Sequence, residues 1–539
     1  MPFSPRYCHP ALKLFFKFYK VHSTRDSLDY AISLFQTEDP AMLLRAQKIL
    51  SRVISLQDVD LASPHYGIWP KHWEESVSRI FNPDPNWADF LGSSLLLIKL
   101  KYRHHLSLAL ESRVDRAILH AARSIQNRNV DINYTNIAMR GTYVVLVAAE
   151  VYGISDLLQY GLKRLQQIHH STMCQGIFTE YNSPVYQICT LDALGRLRLH
   201  IKHAQARIWT NDLYRLAWQN IAQYFHLPTH QWAGPHSRSY SNLLEPYILA
   251  LIERGTRGKI KFGLPEATMV ATQPDIPLPC PVDLEPYFLN AAQPTTIIHN
   301  ILAELSVRRL TTYMNSSFTL GSVSYSDLWH QRCSLMAYWG TPKDPGYLKL
   351  RFLCDGDDFA PAQFFSVQHE GTILAGITFA TDIDKHSPYV ACQANGSLSV
   401  EDLRLRFELL GVVTALNLSK ETSFLECQVE GVWVRLMMTY AQLGDLTGHW
   451  EVIYAEGKTN LDWIFCTGSR RVLNWSQISV AGMAMGVSVS TDHWSMAPIQ
   501  TTLEHQRLTL SAQALRLSFQ VCPDCQSTLV QTLRTSNEI

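Results

Sequence analysis

A chain of 539 residues, 46% apolar and 17% charged, has material for about two or three domains and is too hydrophobic to be disordered. Lysine plus arginine equals aspartate plus glutamate at 47 each, so the formal net charge is zero and nothing argues for a nucleic-acid partner. The eleven cysteines are scattered singly except Cys522 and Cys525 in CPDC. With no second pair to complete a zinc ribbon, these read as turn cysteines, and the expectation is no metal and no cofactor.

The chain opens MPFSPRYCHPALKLFFKFYK. Its apolar part, Ala11 to Tyr19, is interrupted by Lys13 and Lys17, and no small-residue cleavage site follows, which makes a poor secretory signal. The longest internal apolar run, Tyr143 to Ala149, is far short of the ~20 residues that span a bilayer. The expectation is a soluble protein without a membrane span, cytoplasmic by preference, with a secreted or periplasmic location as the alternative. No pattern addresses the oligomeric state.

Residues 1–255 read as helices. Segments 26–37, 40–55, 106–126, 138–152, 156–170, 187–203, 206–226 and 241–253 carry apolar residues at i, i+3 and i+4. Gly153 closes one helix, and Ser155 or Asp156 caps the next. Short connections make neighbouring helices antiparallel. A bundle, a solenoid and an (α/α) toroid all bury such hairpins, and periodicity does not choose among them. A linker over 256–300 follows, rich in proline and glycine around PDIPLPCPVDLEP.

From 301 to 539 the period switches to two. Tyr347 to Leu353, Leu403 to Leu409 and Leu515 to Val521 alternate strictly, and Phe424 to Leu436 reads as a hairpin turning at Glu430-Gly431. Short alternating strands of this kind predict antiparallel sheets packed face to face. The fold class is therefore α+β, helices first and strands afterwards.

Two polar, aromatic segments break the helical half at a proline: Phe178-Thr-Glu-Tyr-Asn-Ser-Pro-Val-Tyr186 and Trp232-Ala-Gly-Pro-His-Ser-Arg-Ser-Tyr240. Loops on a rigid scaffold are where binding and catalytic residues concentrate. Each also has a structural reading. Tyr-Asn-Ser-Pro suits the start of a helix, and His236 and Arg238 suit carbonyls at helix ends. Asn136 and Arg140 in YTNIAMRG are candidates for the same cleft, and Asn136 is equally good as a cap. Trp232, Trp69, Trp73 and Trp87 suit either stacking on a sugar or packing.

Helices followed by strands, with FTEYNSPVY and then GPHSRSY on the loops, resemble the heparinase II/III and alginate-lyase group of polysaccharide lyases. In that group an Asn or His on one toroid loop precedes a catalytic Tyr. Here Asn182 precedes His236 by 54 positions and Tyr240 by 58, and Ser183 stands where the best-known members often have His. The resemblance implies an (α/α) toroid followed by an antiparallel β-sandwich, and a lyase cleaving a uronate-containing polysaccharide or oligosaccharide by β-elimination. It implies Tyr240 as base, Asn182 as donor to the uronate carboxylate, and Arg238 or His236 as positive charge. Glu180, Tyr181, Tyr186, Trp232, Asn136 and Arg140 are the implied substrate contacts. A His or Tyr from the β-half, among Tyr313, Tyr325, His330 and Arg332, is a further candidate. Two other readings stand beside it. One is a hydrolase using Glu180 with Asp192 or Glu245 as its carboxylate pair. The other is a non-catalytic carbohydrate-binding protein of the same fold.

Overall fold

A computed structural model of the chain describes residues 21–523 except 76, 78–82, 272–274, 291–292, 304–305, 381–396, 420–422 and 494–496. Ala11 to Tyr19 and Cys525 lie outside the described residues. The chain divides into two compact units, residues 1–171 with 190–214 and residues 172–189 with 215–539.

Helices come first: Thr24–Phe35, Pro40–Ile54, Trp87–Lys101, Leu108–Arg128, Thr135–Tyr152, Ser155–Gln175, Pro184–His200, Ala204–Tyr224 and Pro246–Gly255. Their ends follow local chemistry. Ser23, Asp39 and Ser107 accept from the backbone N–H of Asp26, Met42 and Leu110, satisfying donors that the first turn leaves open. Asn129 and Gly153 close helices in the left-handed region, at φ 44° and 69°.

Two predictions need correction. The Trp87–Lys101 helix is absent from the periodic reading because both its apolar and its small residues, from Trp87 to Ile98, are largely buried. A helix enclosed on most sides shows no polar face for periodicity to detect. The helix expected over 241–253 begins at Pro246, with Glu245 still extended before it; proline has no N–H and disfavours helical geometry in the preceding residue.

The switch to strands falls at Thr295. One antiparallel sheet runs His449–Ala455, Lys458–Cys466, Leu403–Leu410, Pro345–Cys354, Leu335–Gly340, Phe318–Val323, Ser306–Met314, Thr295–Ala303. A second runs Val413–Ser419, Phe424–Val429, Val432–Leu443, Ala481–Ser490, Thr372–Phe379, Ala362–His369, Tyr325–Asp327. The expected hairpin is there, with Val429 opposite Val432 and Glu430 and Gly431 both at positive φ. The sheets face each other through Phe352 and Phe379, whose ring centroids are 5.2 Å apart. Alternation then turns Tyr347, Lys349 and Arg351 to the far side of the first sheet. The α+β class expected from the sequence is the one observed.

On that far side one cross-strand row reads Thr312, Gly321, Met336, Lys349, Glu408, Asn460. It forms the floor of the candidate site.

Candidate functional site

Both proline-broken loops belong to the second unit, and backbone bonds fasten them together. The Ser237 N–H donates to the Tyr181 carbonyl at 3.1 Å. His236 exchanges N–H···O bonds of 3.1 Å with Cys333, and the Ser239 N–H reaches the Gln331 carbonyl at 2.8 Å. Beneath them, the Gly234 carbonyl accepts from Thr312 Oγ1 at 2.6 Å and lies against Gly321. A Cβ on Gly321 would fall on the Gly234 carbonyl, and one on Gly234 would come within 2.8 Å of Met336 Cβ. Two glycines thus allow backbone to lie directly on sheet.

Asn182 is the clasp between the loops. It is 2% exposed, at φ 45°, a conformation Asn tolerates better than most residues. Its Nδ2 donates to the carbonyls of Ala233 (2.6 Å) and Pro235 (2.9 Å), and its Oδ1 accepts from Trp232 Nε1. Both amide hydrogens are therefore engaged within the protein, and a bond to a substrate carboxylate would have to displace one of them. The next residue, Ser183, accepts from the Tyr186 N–H at 3.4 Å and so caps the Pro184–His200 helix, while its hydroxyl donates to the Arg238 carbonyl. The helix-start reading of this turn and the loop-to-loop reading hold together.

Arg238 gathers the polar side chains. Its guanidinium donates to Glu180 Oε1 (2.9 Å), Gln331 Oε1 (2.9 Å) and the Tyr186 hydroxyl (2.8 Å), and lies 4.1 Å from the Tyr186 ring centroid. The Tyr186 hydroxyl is in turn 2.7 Å from the Tyr240 hydroxyl. A guanidinium only donates, so the Tyr186 hydroxyl accepts from Arg238, and between the two phenols either hydroxyl can be the donor. Tyr240 is 52% exposed, whereas Tyr186 is 9% exposed. A chain of hydrogen bonds thus runs from a carboxylate-paired arginine to a phenol open to solvent.

His236 is 1% exposed. Its Nδ1 lies 2.6 Å from the Asn182 carbonyl, which can only accept, so the proton is on Nδ1 and Nε2 keeps its lone pair. Nε2 faces the Tyr338 hydroxyl at 3.4 Å, and that hydroxyl donates to the Asn242 carbonyl at 2.7 Å. Burial lowers the His236 pKa to about 4, so the ring is neutral at neutral pH. It cannot supply the positive charge considered for it, and is placed instead as an acceptor.

A second polar group adjoins this loop, and sequence reading missed it. Asn242 donates to the Tyr347 hydroxyl (2.8 Å) and to Glu408 Oε1 (2.9 Å), and accepts from Lys349 Nζ (3.2 Å). Glu408 also receives Tyr347, Lys458 (3.0 Å) and Arg351 (3.5 Å). Burial alone would raise the Glu408 carboxyl, but Tyr347, Lys458 and Arg351 outweigh it and hold the pKa at about 2. The alternation of LRLRFELL places Glu408 on one face with Arg404 and Arg406. Which strands flank it is a long-range pairing that no local pattern carries. Of the β-half candidates, His330 is half-buried with its ring centroid 4.5 Å from that of Trp329, and its Nε2 accepts from Gln331 Nε2 at 3.3 Å. Arg332 pairs with Asp327 at 3.2 Å and donates to the Ser237 carbonyl at 2.7 Å, supporting the loop from below.

Other expected contacts lie elsewhere. Trp232, Trp69 and Trp87 are 1%, 1% and 5% exposed, so none offers a ring face to a sugar. Tyr181 is 3% exposed, and burial raises its pKa. Asn136 and Arg140, 2% and 7% exposed, belong to the first unit, in the Thr135–Tyr152 helix. There Arg140 donates to Asp192 at 3.1 Å and Arg196 to the same carboxylate at 3.0 Å. Burial alone would raise Asp192, but Arg196 and Arg140 outweigh it and hold it below the usual carboxylate range. Glu245 accepts from Ser241. No helix among the described residues is long and apolar enough to cross a membrane.

A family profile described as a domain of unknown function (DUF8769) matches residues 9–275. The curated proteins give no match. Among solved structures the chain is similar to heparinase III, at 8% identity and a TM-score of 0.42 over 93% of this chain and 82% of that one. It is similar to the heparan sulfate lyase HepC from Pedobacter heparinus at 9% identity and a TM-score of 0.35, over 93% and 82% of the two chains. It is also similar to the chondroitin AC lyase of Streptomyces coelicolor A3, solved with chondroitin sulphate, at 9% identity and a TM-score of 0.33 over 87% and 92%.

Proposed function

We propose that this chain is a lyase that cleaves a uronate-containing polysaccharide or oligosaccharide by β-elimination. The observation that carries the reading is the hydrogen-bonded series Arg238, Tyr186, Tyr240, which ends in a half-exposed hydroxyl. Elimination needs a base for the proton at C5 of the uronate, which lies α to a carboxylate. A phenol ordinarily ionises near ~10 and serves as a base near neutrality only where its anion is stabilised. In this reading the stabilisation comes from the Arg238 guanidinium, which donates to the Tyr186 hydroxyl bonded to Tyr240. Once protonated, the Tyr240 phenol is an acid within reach of the leaving glycosidic oxygen. Neutral His236 keeps the neighbouring loop fixed and offers Nε2 as an acceptor. The similarity of FTEYNSPVY and GPHSRSY to loops of the heparinase II/III and alginate-lyase group supports the same reading.

The arginine pairing of Glu180 and Asp192 supports elimination over hydrolysis by that pair. An inverting or retaining hydrolase needs one carboxylic acid that keeps its proton. Asp192 is ion-paired twice and held below the usual range, and Glu180 is engaged by Arg238.

The test is ultraviolet absorbance during incubation with alginate, heparan, hyaluronan, pectin and glucuronan fragments. Elimination creates a conjugated unsaturated uronate, so a rising signal identifies both reaction and sugar. New reducing ends without absorbance would replace the lyase with a hydrolase. Binding without either product would leave a carbohydrate-binding protein.

A further inference from the structure

Cations of the second unit are mostly matched by carboxylates: Arg238 by Glu180, Arg332 by Asp327, Arg351 by Asp358, Lys458 by Glu408. Lys349 is different. It is 7% exposed, in the floor row beside Met336, on the face that carries the 232–240 loop. Its ammonium donates to the neutral Asn242 Oδ1 at 3.2 Å. No carboxylate of the described residues lies within ion-pair distance of it. Glu408, its neighbour in register, turns its oxygens to Tyr347, Asn242, Lys458 and Arg351 instead.

A buried ammonium without a counter-ion is costly and is retained where something else offsets it. Its surroundings point to the ligand. Asn242, to which it donates, is two residues from Tyr240, and the Asn242 carbonyl accepts from the Tyr338 hydroxyl that faces His236 Nε2. Asn242, which accepts from the ammonium, is half-buried, so the group bonded to Lys349 reaches solvent. The role first expected of Asn182, meeting the substrate carboxylate, has no donor while both Asn182 amide hydrogens hold the loop.

We propose that Lys349 is the group that receives the uronate carboxylate, with Asn242 positioning its ammonium. This rests on the lyase reading for the identity of the anion. A carboxylate drawn to Lys349 acquires a counter-charge in a largely water-excluded place. That is the condition under which negative charge can build on its oxygens as the C5 proton leaves.

The experiment is ligand-observed NMR titration of glucuronate and galacturonate, with glucose as the neutral control, into the wild type, Lys349→Met and Lys349→Arg. The wild type should bind a uronate over glucose, Lys349→Met should lose that preference by roughly tenfold or more, and Lys349→Arg should keep part of it. Thermal unfolding of Lys349→Met should occur at or above the wild-type temperature, because an unpaired buried charge has been removed. A purely structural lysine would instead give a lowered unfolding temperature with uronate preference intact. That result overturns the proposal, as does a wild type that does not distinguish uronate from glucose. Lys349-dependent uronate binding in a protein that never yields unsaturated product would reject the lyase and keep the anion site.

Discussion

Asp192 in the helical unit and Glu180 in the other are both largely buried carboxylates held by arginine, yet the two arrangements lead in opposite directions. Around Asp192, Arg140 and Arg196 converge from two helices, and Arg140 also stacks on Phe90 with its guanidinium 5.4 Å from the ring centroid. Each of these contacts ends on another group of the same unit. Around Glu180, one arginine holds the carboxylate, a glutamine and a phenol, and that phenol is hydrogen-bonded to Tyr240 at the surface. Ion pairs of similar geometry can lock a scaffold or prime a site. What separates them is whether the hydrogen bonds end on a group that a ligand can touch.

The sharpest way to break this contrast is Tyr240→Phe. Deleting one half-exposed hydroxyl should lower the elimination rate by about 10³-fold, within the range for a general base, with the unfolding temperature unchanged. Full activity in this variant would remove Tyr240 from the chemistry. Asp192→Asn probes the other side. Two buried guanidinium groups would lose their counter-ion, and urea unfolding should report a loss of about 3 kcal/mol. A neutral result would show that the helical network is not structural. Between them stands Tyr186→Phe, expected to lower kcat/KM about tenfold with the unfolding temperature little changed. An unchanged kcat/KM would disconnect Arg238 from Tyr240.

The smallest effect concerns acid. Burial holds His236, His226 and His200 at about 4, against 6.5 for a free ring. Between those values the unfolded chain binds protons that the folded one refuses, so stability should fall as pH drops from 6.5 toward 4 and be fully present above 6.5. His236→Asn should flatten part of that slope in unfolding curves measured across the window. A slope identical to the wild type would mean that His236 does not titrate there.

Local signals made much of this molecule legible. The closing Gly153 and the Glu430-Gly431 turn act within a few residues, and the alternating strands near 347, 403 and 515 appear close to their expected limits. The two loops were visible because each sets a proline among polar and aromatic residues. Sequence could place Arg238 near Tyr240, but not the intervening Tyr186, because that contact depends on how two loops fold onto each other. Asn182 carried the right chemistry for a carboxylate, and only the positions of the Ala233 and Pro235 carbonyls reveal that its donors are engaged. Lys349 and Glu408 were out of reach altogether, being adjacent only through strand register.

The back-to-back glycines carry a consequence for how this protein tolerates change. Because Gly234 rests on Gly321 without intervening side chains, the height of the loop above the sheet is a property of the strand beneath it. A single methyl at 321 would lift the loop carrying His236, Arg238 and Tyr240 as one piece while leaving every reacting group intact. Such an allele would look catalytic in an assay and innocuous in a list of active-site residues. Position 321 is therefore a place where a loss of function could arise without any loss of chemistry.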